Sequence, residues 1–285
     1  MTAAAWPLLF VFLWSTGFIG AKFGLPHAEP LSFLLTRYCL VVALMLPVAL
    51  ATRAPWPRDA QQWLHIAVSG LLVHALYLGG VFVAIGHGLP AGITALVVGM
   101  QPLLTACSAG WLLGEKVSGR QWGGLAMGFV GVALVVSGKL GDGALGPMLL
   151  PALVALLAIT AGTLYQKRFC ARFDLRTGAL IQFVPSAIVT GIAVALFEDY
   201  RIDWSGEFLF ALGWLVLILS LGAISLLNLL IRNGSAVNVA SLFYLTPPTT
   251  ALIAWAVFGE TLTPVAVLGM AVAVGGVYLV ARPAK

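Results

Sequence analysis

The sequence predicts an all-α polytopic membrane protein in which ten transmembrane helices form two inverted-topology five-helix repeats. The first observation behind this class is composition. Of 285 residues, 61% are hydrophobic and 9% are charged, whereas soluble domains average about 45–50% and about 25%. The second is a series of apolar runs of roughly 18–22 residues, long enough to cross a hydrocarbon layer about 30 Å thick. Because these runs are continuous rather than alternating, they indicate helices and not a β-barrel.

The third observation is an internal repeat at a fixed shift of 145 residues. At this shift Pro102 aligns with Pro247 and Gly114-Glu115 aligns with Gly259-Glu260, without a gap. Residues 1–140 and 146–285 are therefore the two predicted repeats. Because each holds five spans, an odd number, the second copy must enter the membrane from the opposite side, which is a common architecture of secondary transporters.

Short polar breaks separate the predicted spans. In chain order these spans are 5–25, 31–52, 62–86, 90–113, 119–138, 147–168, 177–197, 207–231, 235–258 and 263–282. The fifth begins after Ser118 and Gln121, which have capping-box spacing, and the tenth begins with Thr263 and Pro264 as cap and first-turn proline. The loops leave no room for a soluble domain, and no cleaved signal peptide is expected at the first span.

Basic residues predict the orientation, because cytoplasmic loops retain Lys and Arg. With the N-terminus inside, the inner side collects eleven of the fifteen basic residues. Both termini of this multi-pass chain are therefore expected in the cytoplasm. The net charge of +5 is explained by this topology rather than by nucleic-acid binding. The partners expected are the lipid bilayer and a small molecule, whereas monomer and homodimer both remain open.

Prolines within spans four and nine suggest where the path could open. Pro102, Pro247 and Pro248 each remove a helical hydrogen bond at mid-span. A kink there would expose backbone near Met100 and Gln101, although a static kink that improves packing is the alternative. Glu115 and Glu260 close the same spans on opposite sides, either as gates or as braces that bond backbone amides or a basic group.

Polar and aromatic side chains within the spans are the candidate substrate contacts, since polar groups in a bilayer are costly. Span one carries Ser15, Phe18 and Lys22 on one face, and Lys22 and Arg37 could form a cationic vestibule for a carboxylate. The alternatives are a helix–helix hydrogen-bonding seam for the hydroxyls and, for Arg37, an ion pair with Glu29 or contacts with helix-end carbonyls. The other candidates are Trp14, His74, Tyr77, Thr163, Tyr165, Asn228, Asn238, Ser241 and Tyr244. His74 could couple transport to protons or serve as a packing residue, and the asparagines could be interhelical contacts.

The opening LLFVFLWSTGFIGAKFGLPHAEPLSFLLTRY and the twofold Pro-then-Gly-Glu pattern resemble the EamA branch of the drug/metabolite transporter superfamily. This resemblance covers the whole chain. It implies a ten-helix carrier of the inner membrane that exports amino acids or similar metabolites, with a cavity lined mainly by spans 1, 3, 4, 6, 8 and 9. Distant four-helix relatives use a glutamate in their first helix for cation exchange, and span one here contains no acid.

The leading hypothesis is thus a secondary transporter that exports small metabolites, most simply amino acids or derivatives, by alternating access. Efflux of multiple drugs or quaternary amines by the same fold is the alternative, and a channel or a membrane scaffold is an alternative of another class. An enzyme is not expected, because no catalytic cluster or nucleophile motif is present. No cofactor or metal is expected either, and the absence of a P-loop argues against direct ATP coupling.

Overall fold

The computed structural model describes residues 5–89, 91–137, 147, 149–170, 172–259 and 262–281. Within these residues, ten helices are long and apolar enough to cross a membrane, which confirms the predicted fold class. Spans 1 to 5 are Ala5–His27, Pro30–Ala51, Ala60–Gly86, Thr94–Leu113 and Gly119–Ser137. Spans 6 to 10 are Leu149–Phe169, Leu175–Phe197, Gly206–Asn233, Ala236–Val257 and Pro264–Ala281.

The repeat seen in the sequence extends to the helix ends. Helix Gln101–Leu113 of span 4 and helix Thr246–Phe258 of span 9 are 145 residues apart at both ends. Each ends in a left-handed glycine, Gly114 at φ 69° and Gly259 at φ 66°, a conformation that glycine adopts without steric cost. The same residue pattern therefore stops the helix in the same way in both halves.

Two pairs of spans depart from regular α-helix at equivalent positions. Span 3 contains a π-helical segment at Leu71–Leu78 and span 8 contains one at Leu215–Ala223. Span 4 is divided into Ala91–Val98 and Gln101–Leu113, and span 9 passes from Ala236–Ser241 through a 3-10 turn, Leu242–Leu245, into Thr246–Phe258. The predicted prolines lie at the first turn of the second helix in each case, where a missing N–H is tolerated.

Spans 5 and 10 pack antiparallel at very close range. A Cβ added to Gly131 would lie 2.4 Å from the Ala273 backbone nitrogen, and one added to Gly124 would lie 2.7 Å from the Gly276 carbonyl oxygen. Contacts thus run from Gly124 beside Gly276 to Gly131 beside Gly269, so the two helices point in opposite directions. The small-residue pairs predicted in these spans form a seam within the fold, and the opposite directions match the inverted repeat.

Spans 1, 3, 6 and 8 join the two halves around the centre. Gly17 and Gly20 of span 1 face Leu219 and Leu215 of span 8, and Gly162 of span 6 faces Val73 of span 3. Span 2 packs against span 7 on one side of this group. The centre of the molecule is consequently walled by helices of both halves.

Candidate functional site

A central cavity lies between the halves and has two lobes that share Trp14, Tyr77 and Val81. The first lobe has a volume of about 50 Å³ and the second about 30 Å³. Spans 1, 2, 3 and 8 line the first, and spans 1, 3, 4 and 9 line the second. Ligand pockets usually measure about 300–1,000 Å³, so this cavity has room for only a few water molecules. The structure therefore shows a closed centre that must widen before a metabolite can enter.

Aromatic rings form the wall that the two lobes share. Trp14 stacks on Tyr77 with ring centroids 6.5 Å apart and an interplanar angle of 11°. Phe243 meets Trp14 edge-on at 5.3 Å, and Phe10 lies 5.3 Å from Trp14 and 5.5 Å from Phe243. Such pairs hold large apolar surfaces in a defined geometry. Trp14 and Tyr77, both predicted as site residues, are thus brought together by the fold.

Arg37 contributes the positive charge of the cavity wall. Its side chain is 3% exposed, it lines the first lobe, and its Nε donates to Ser220 Oγ at 2.9 Å. Among the described residues no carboxylate pairs with it, and Glu29 instead accepts the Asp199 amide at 3.0 Å. The ion pair considered as an alternative for Arg37 is therefore absent from the described part of the chain. A buried guanidinium with no acid paired to it among the described residues attracts an anionic group electrostatically.

Hydroxyl and amide groups join the proline-containing spans to the opposite half. Ser15 Oγ lies 3.3 Å from the Thr246 carbonyl oxygen, at the start of the helix that Pro247 opens. In the other half, Gln101 Nε2 donates to Thr163 Oγ1 at 3.4 Å, one residue before Pro102. The hydroxyl of Thr246 and Oε1 of Gln101 are buried and have no hydrogen-bond partner among the described residues. These contacts place polar groups of both halves beside the two interrupted helices.

Several predicted site residues lie away from the cavity walls. His74 stacks on Phe183 of span 7 at 4.1 Å, and Tyr165 hydrogen-bonds His65 at 2.7 Å. Tyr244 packs against Gly128 in the seam of spans 5 and 10, so closely that a Cβ added to that glycine would lie 2.4 Å from the ring. Met100 is 38% exposed beside the interruption of span 4, and Pro248 follows Pro247 in the first turn of its helix.

Three amide and hydroxyl residues of the second half bond to other polar groups rather than lining the cavity. Asn228 Oδ1 accepts from Gln166 Nε2 at 2.8 Å. Asn238 Oδ1 accepts from Gln121 at 3.4 Å, and Ser241 donates to the Asn238 carbonyl at 2.8 Å. The side chains of Phe18 and Lys22, and all of Glu260, lie outside the described residues.

Glu115 and Lys167 bind helix termini. The Ala236 amide donates to Glu115 Oε1 at 2.9 Å, so a carboxylate of the first half caps span 9 of the second. Lys167 donates to the carbonyl oxygens of Ile231 at 2.9 Å and Gly234 at 2.5 Å, at the end of span 8. The Glu115 contact joins the two halves, whereas the Lys167 contacts lie within the second half, and Lys167 lines a polar cavity of about 590 Å³. We call this side the basic end; its cavity is lined by Gln166, Lys167, Cys170, Arg172, Arg232 and Asn233.

The opposite side, which we call the acidic end, carries a cavity of about 620 Å³ whose lining includes Glu29, Glu198 and Asp203. Glu198 accepts the amides of Leu31 at 2.8 Å and Ser32 at 2.7 Å, so a carboxylate of the second half caps span 2 of the first. The central cavity therefore lies between two larger vestibules, and at each end a carboxylate of one half caps a helix of the other, Glu115 at the basic end and Glu198 at the acidic end.

Sequence reasoning missed three residues of the site. Phe243 completes the aromatic wall, Thr94 lines the second lobe, and Ser220 holds Arg37. Tyr244, the neighbour of Phe243, is the residue predicted from the sequence. Adjacent residues of a helix point in different directions, so Phe243 faces the cavity and Tyr244 does not. Span 2, through Arg37, lines the cavity, whereas the resemblance implied span 6, which supplies no lining residue to either lobe among the described residues.

Comparison with known proteins agrees with this architecture. A solved crystal structure superposes with a TM-score of 0.79 at 20% identity, covering 97% of this chain and 95% of that one. "Uncharacterized inner membrane transporter YedA" of Escherichia coli strain K12 is 28% identical, over 94% of this chain and 87% of its own. "Probable amino-acid metabolite efflux pump" of the same strain is 25% identical, over 95% and 92%.

A family model adds the decisive match. The model of the EamA-like transporter family matches residues 1–137 and again residues 146–282, which together cover nearly the whole chain. The named relatives are membrane transporters, in agreement with ten spans around a central cavity. The chain belongs to the EamA-like transporter family, as its sequence motifs predicted.

Proposed function

We propose that this transporter exports small zwitterionic or weakly acidic metabolites, with amino acids or their derivatives as the substrate class, by alternating access. One observation carries the proposal: Arg37 lies buried in the cavity wall with no acid paired to it among the described residues. Buried charges are normally paired, and a guanidinium binds a carboxylate through two parallel hydrogen bonds. A substrate carboxylate would supply the partner that Arg37 lacks.

Comparison of the two repeats supports the view that the charge of Arg37 serves transport rather than helix packing. The residue 145 positions after Arg37 is Gln182, which reaches across to Ser69 of span 3 at 3.0 Å. Arg37 contacts a serine of the equivalent span in the other half, Ser220 of span 8, at 2.9 Å, although Ser69 and Ser220 are not at equivalent positions. Because a neutral amide is sufficient for this contact in one half, packing alone does not require a cation in the other. The charge is therefore available for substrate.

The aromatic wall supports a substrate that also has an apolar part. Trp14 and Tyr77 lie beside Arg37 and present ring faces and edges to the same lobe. An amino acid could place its carboxylate at Arg37 and its side chain against these rings. The relative whose name refers to amino-acid metabolite efflux supports the same class.

Alternating access would open the closed centre toward one vestibule at a time. Separation of Glu115 from span 9 would open the basic end, and separation of Glu198 from span 2 would open the acidic end. The proposed location of the protein is the inner membrane. The distribution of Lys and Arg orients it so that the basic end and both termini face the cytoplasm. Glu260, the repeat counterpart of Glu115, is assigned to the opposite face. Pro102 and Pro247 remain the proposed hinges.

Efflux of quaternary amines is the second candidate, because Trp14 and Tyr77 could also hold a cation against their ring faces. The charge of Arg37 opposes it. Substitution of this one residue therefore distinguishes the two candidates, since a cation would bind better, not worse, after the positive charge is removed.

Counterflow into proteoliposomes, with each of the twenty amino acids and with tetraphenylphosphonium as labelled probes, tests the proposal. Arg37→Gln copies the neutral residue of the other half, so the fold should persist. Loss of a charge-assisted contact worth about 2 kcal/mol or more predicts at least about 30-fold slower amino-acid counterflow. Arg58→Gln, on an exposed loop residue, is the matched control. Tetraphenylphosphonium flux without amino-acid flux in the wild type would refute the proposal, as would unchanged amino-acid flux in Arg37→Gln.

A further inference from the structure

Ser220 is the one described side chain that hydrogen-bonds Arg37. Its hydroxyl accepts from Arg37 Nε at 2.9 Å, and the two residues are 2% and 3% exposed. Arg37 belongs to span 2 of the first half and Ser220 to span 8 of the second. The bond therefore crosses between halves directly behind the cavity wall.

The π-helical segment of span 8 explains why this serine can reach the guanidinium. Segment Leu215–Ala223 uses i→i+5 hydrogen bonds, which bring residues five apart onto one side of the helix. Leu215 and Ser220 are five residues apart, and Leu215 lines the same lobe as Arg37. In a regular α-helix these two side chains would diverge, so the π segment sets the position of the hydroxyl.

The chemistry of the contact leaves the charge of Arg37 available. Ser220 engages Nε, which leaves the two terminal nitrogens for a carboxylate. A hydroxyl is a neutral acceptor, so it orients the guanidinium without cancelling its charge, whereas an acid at this place would pair with Arg37 and compete with substrate. A held guanidinium also loses less rotamer freedom when it binds a ligand.

We infer that Ser220 is a positioning residue that holds Arg37 for the substrate carboxylate and thereby sets the affinity for carboxylate-bearing substrates. This inference rests on the proposed function, and it adds a residue to which no role was assigned from the sequence. It also gives the π-helical segment of span 8 a purpose, since that segment carries the serine to the cavity wall.

The test uses full-length protein in proteoliposomes and the amino acid that the wild type takes up fastest among the twenty. Ser220→Ala should raise KM between about 10-fold and 100-fold, as expected for loss of a hydrogen bond to a charged group, with kcat within about twofold. Ser220→Thr keeps the hydroxyl and should restore KM. Ser220→Asp should abolish amino-acid transport, because its carboxylate would pair with Arg37. Ser186→Ala is the control, since this buried hydroxyl bonds its own helix at Gln182 O, 2.7 Å away.

A substrate-free readout separates this inference from the proposed function. With 15N-labelled arginine, the Nε–H signal that disappears in Arg37→Gln belongs to Arg37. It should shift and exchange faster with water in Ser220→Ala and return in Ser220→Thr. An unchanged Nε–H signal, or an unchanged KM in Ser220→Ala when Arg37→Gln is impaired, overturns the positioning role alone. Unimpaired transport in Arg37→Gln overturns the proposed function.

Discussion

Glu115 offers a direct test of how the basic end is held closed. Its carboxylate accepts the Ala236 amide at 2.9 Å and lies 3.5 Å from the Val237 amide nitrogen. These amides are the first of span 9, where the helix dipole favours a negative charge. Glu115 follows span 4 of one half and Ala236 begins span 9 of the other. Glu115→Ala therefore removes a contact that exists only while these two spans are close together at the basic end.

The size of the effect follows from the geometry. One well-formed hydrogen bond to a charged group contributes about 1.5–3 kcal/mol, and the second contact is too long to add much. Glu115 is half-buried, so water replaces part of what is lost. A net effect of about 1.5–2 kcal/mol shifts the equilibrium toward the form open at the basic end by about 10-fold to 30-fold. Glu115→Gln keeps an acceptor without the charge, and its effect should be smaller.

Cys170 is a natural reporter for this opening. It lines the vestibule of the basic end and is 5% exposed, and burial raises the pKa of its thiol to about 11, so the closed form reacts slowly with maleimide. Cys39→Ser and Cys107→Ser remove the exposed thiols. In this background Glu115→Ala should increase the rate of Cys170 labelling by about the factor estimated above, since labelling follows the population of the open form.

Glu198→Ala is the matched control, because Glu198 caps the Leu31 and Ser32 amides in the same way at the acidic end. It should leave Cys170 labelling unchanged or slow it. Equal labelling of Glu115→Ala and wild type, or equal acceleration by the Glu198 variant, would show that the Glu115 contact does not hold the basic end closed.

Two further predictions concern stability. Gly131→Ala should destabilise the protein by roughly 1–3 kcal/mol through overpacking and so lower its melting temperature, because the added methyl would lie 2.4 Å from the Ala273 nitrogen. Gly123→Ala is the control, since its added methyl would meet nothing within 4 Å. Equal melting temperatures of the two variants in detergent would contradict close packing of spans 5 and 10. Hydrogen bonds from Arg176 hold the pKa of Asp174, the N-cap of span 7, below its usual value. A lowered folded-state pKa means that this stabilisation is present above the unfolded value of about 3.9 and is lost as pH falls through the folded value. Asp174→Asn should therefore lower the melting temperature at pH 7 and leave it unchanged at a pH below the folded-state pKa of Asp174. A difference in melting temperature that does not depend on pH would show that the negative charge of Asp174 is not the stabilising feature.

Much of the fold could be predicted because its signals are local. Span length and apolar composition follow from the thickness of the bilayer, and the repeat aligns helix ends that one glycine conformation terminates at Gly114 and Gly259. The interruptions of spans 4 and 9 lie beside Pro102 and Pro247, but each proline occupies the first turn of a helix, where its missing N–H removes no helical hydrogen bond. The π-helical segments in spans 3 and 8 were not foreseen, since no single residue type encodes them.

The candidate site was predicted only in part, for a reason of geometry. Trp14, Tyr77 and Arg37 line the cavity, whereas His74 and Tyr165, chosen for the same intramembrane chemistry, contact Phe183 and His65. A side chain in a span can face lipid, a neighbouring helix or the centre, and a uniformly apolar helix has little amphipathic signal to tell these directions apart.

The sequence by itself determined the number of spans, the family and the existence of two related halves, because each depends on composition or on residue order along the chain. Only the tertiary structure decided that Arg37 faces the cavity with no acid paired to it among the described residues, that Ser220 holds it, and that Glu115 caps span 9 of the other half. These contacts join residues more than 100 positions apart, and their geometry depends on how antiparallel helices cross, which residue order alone does not specify.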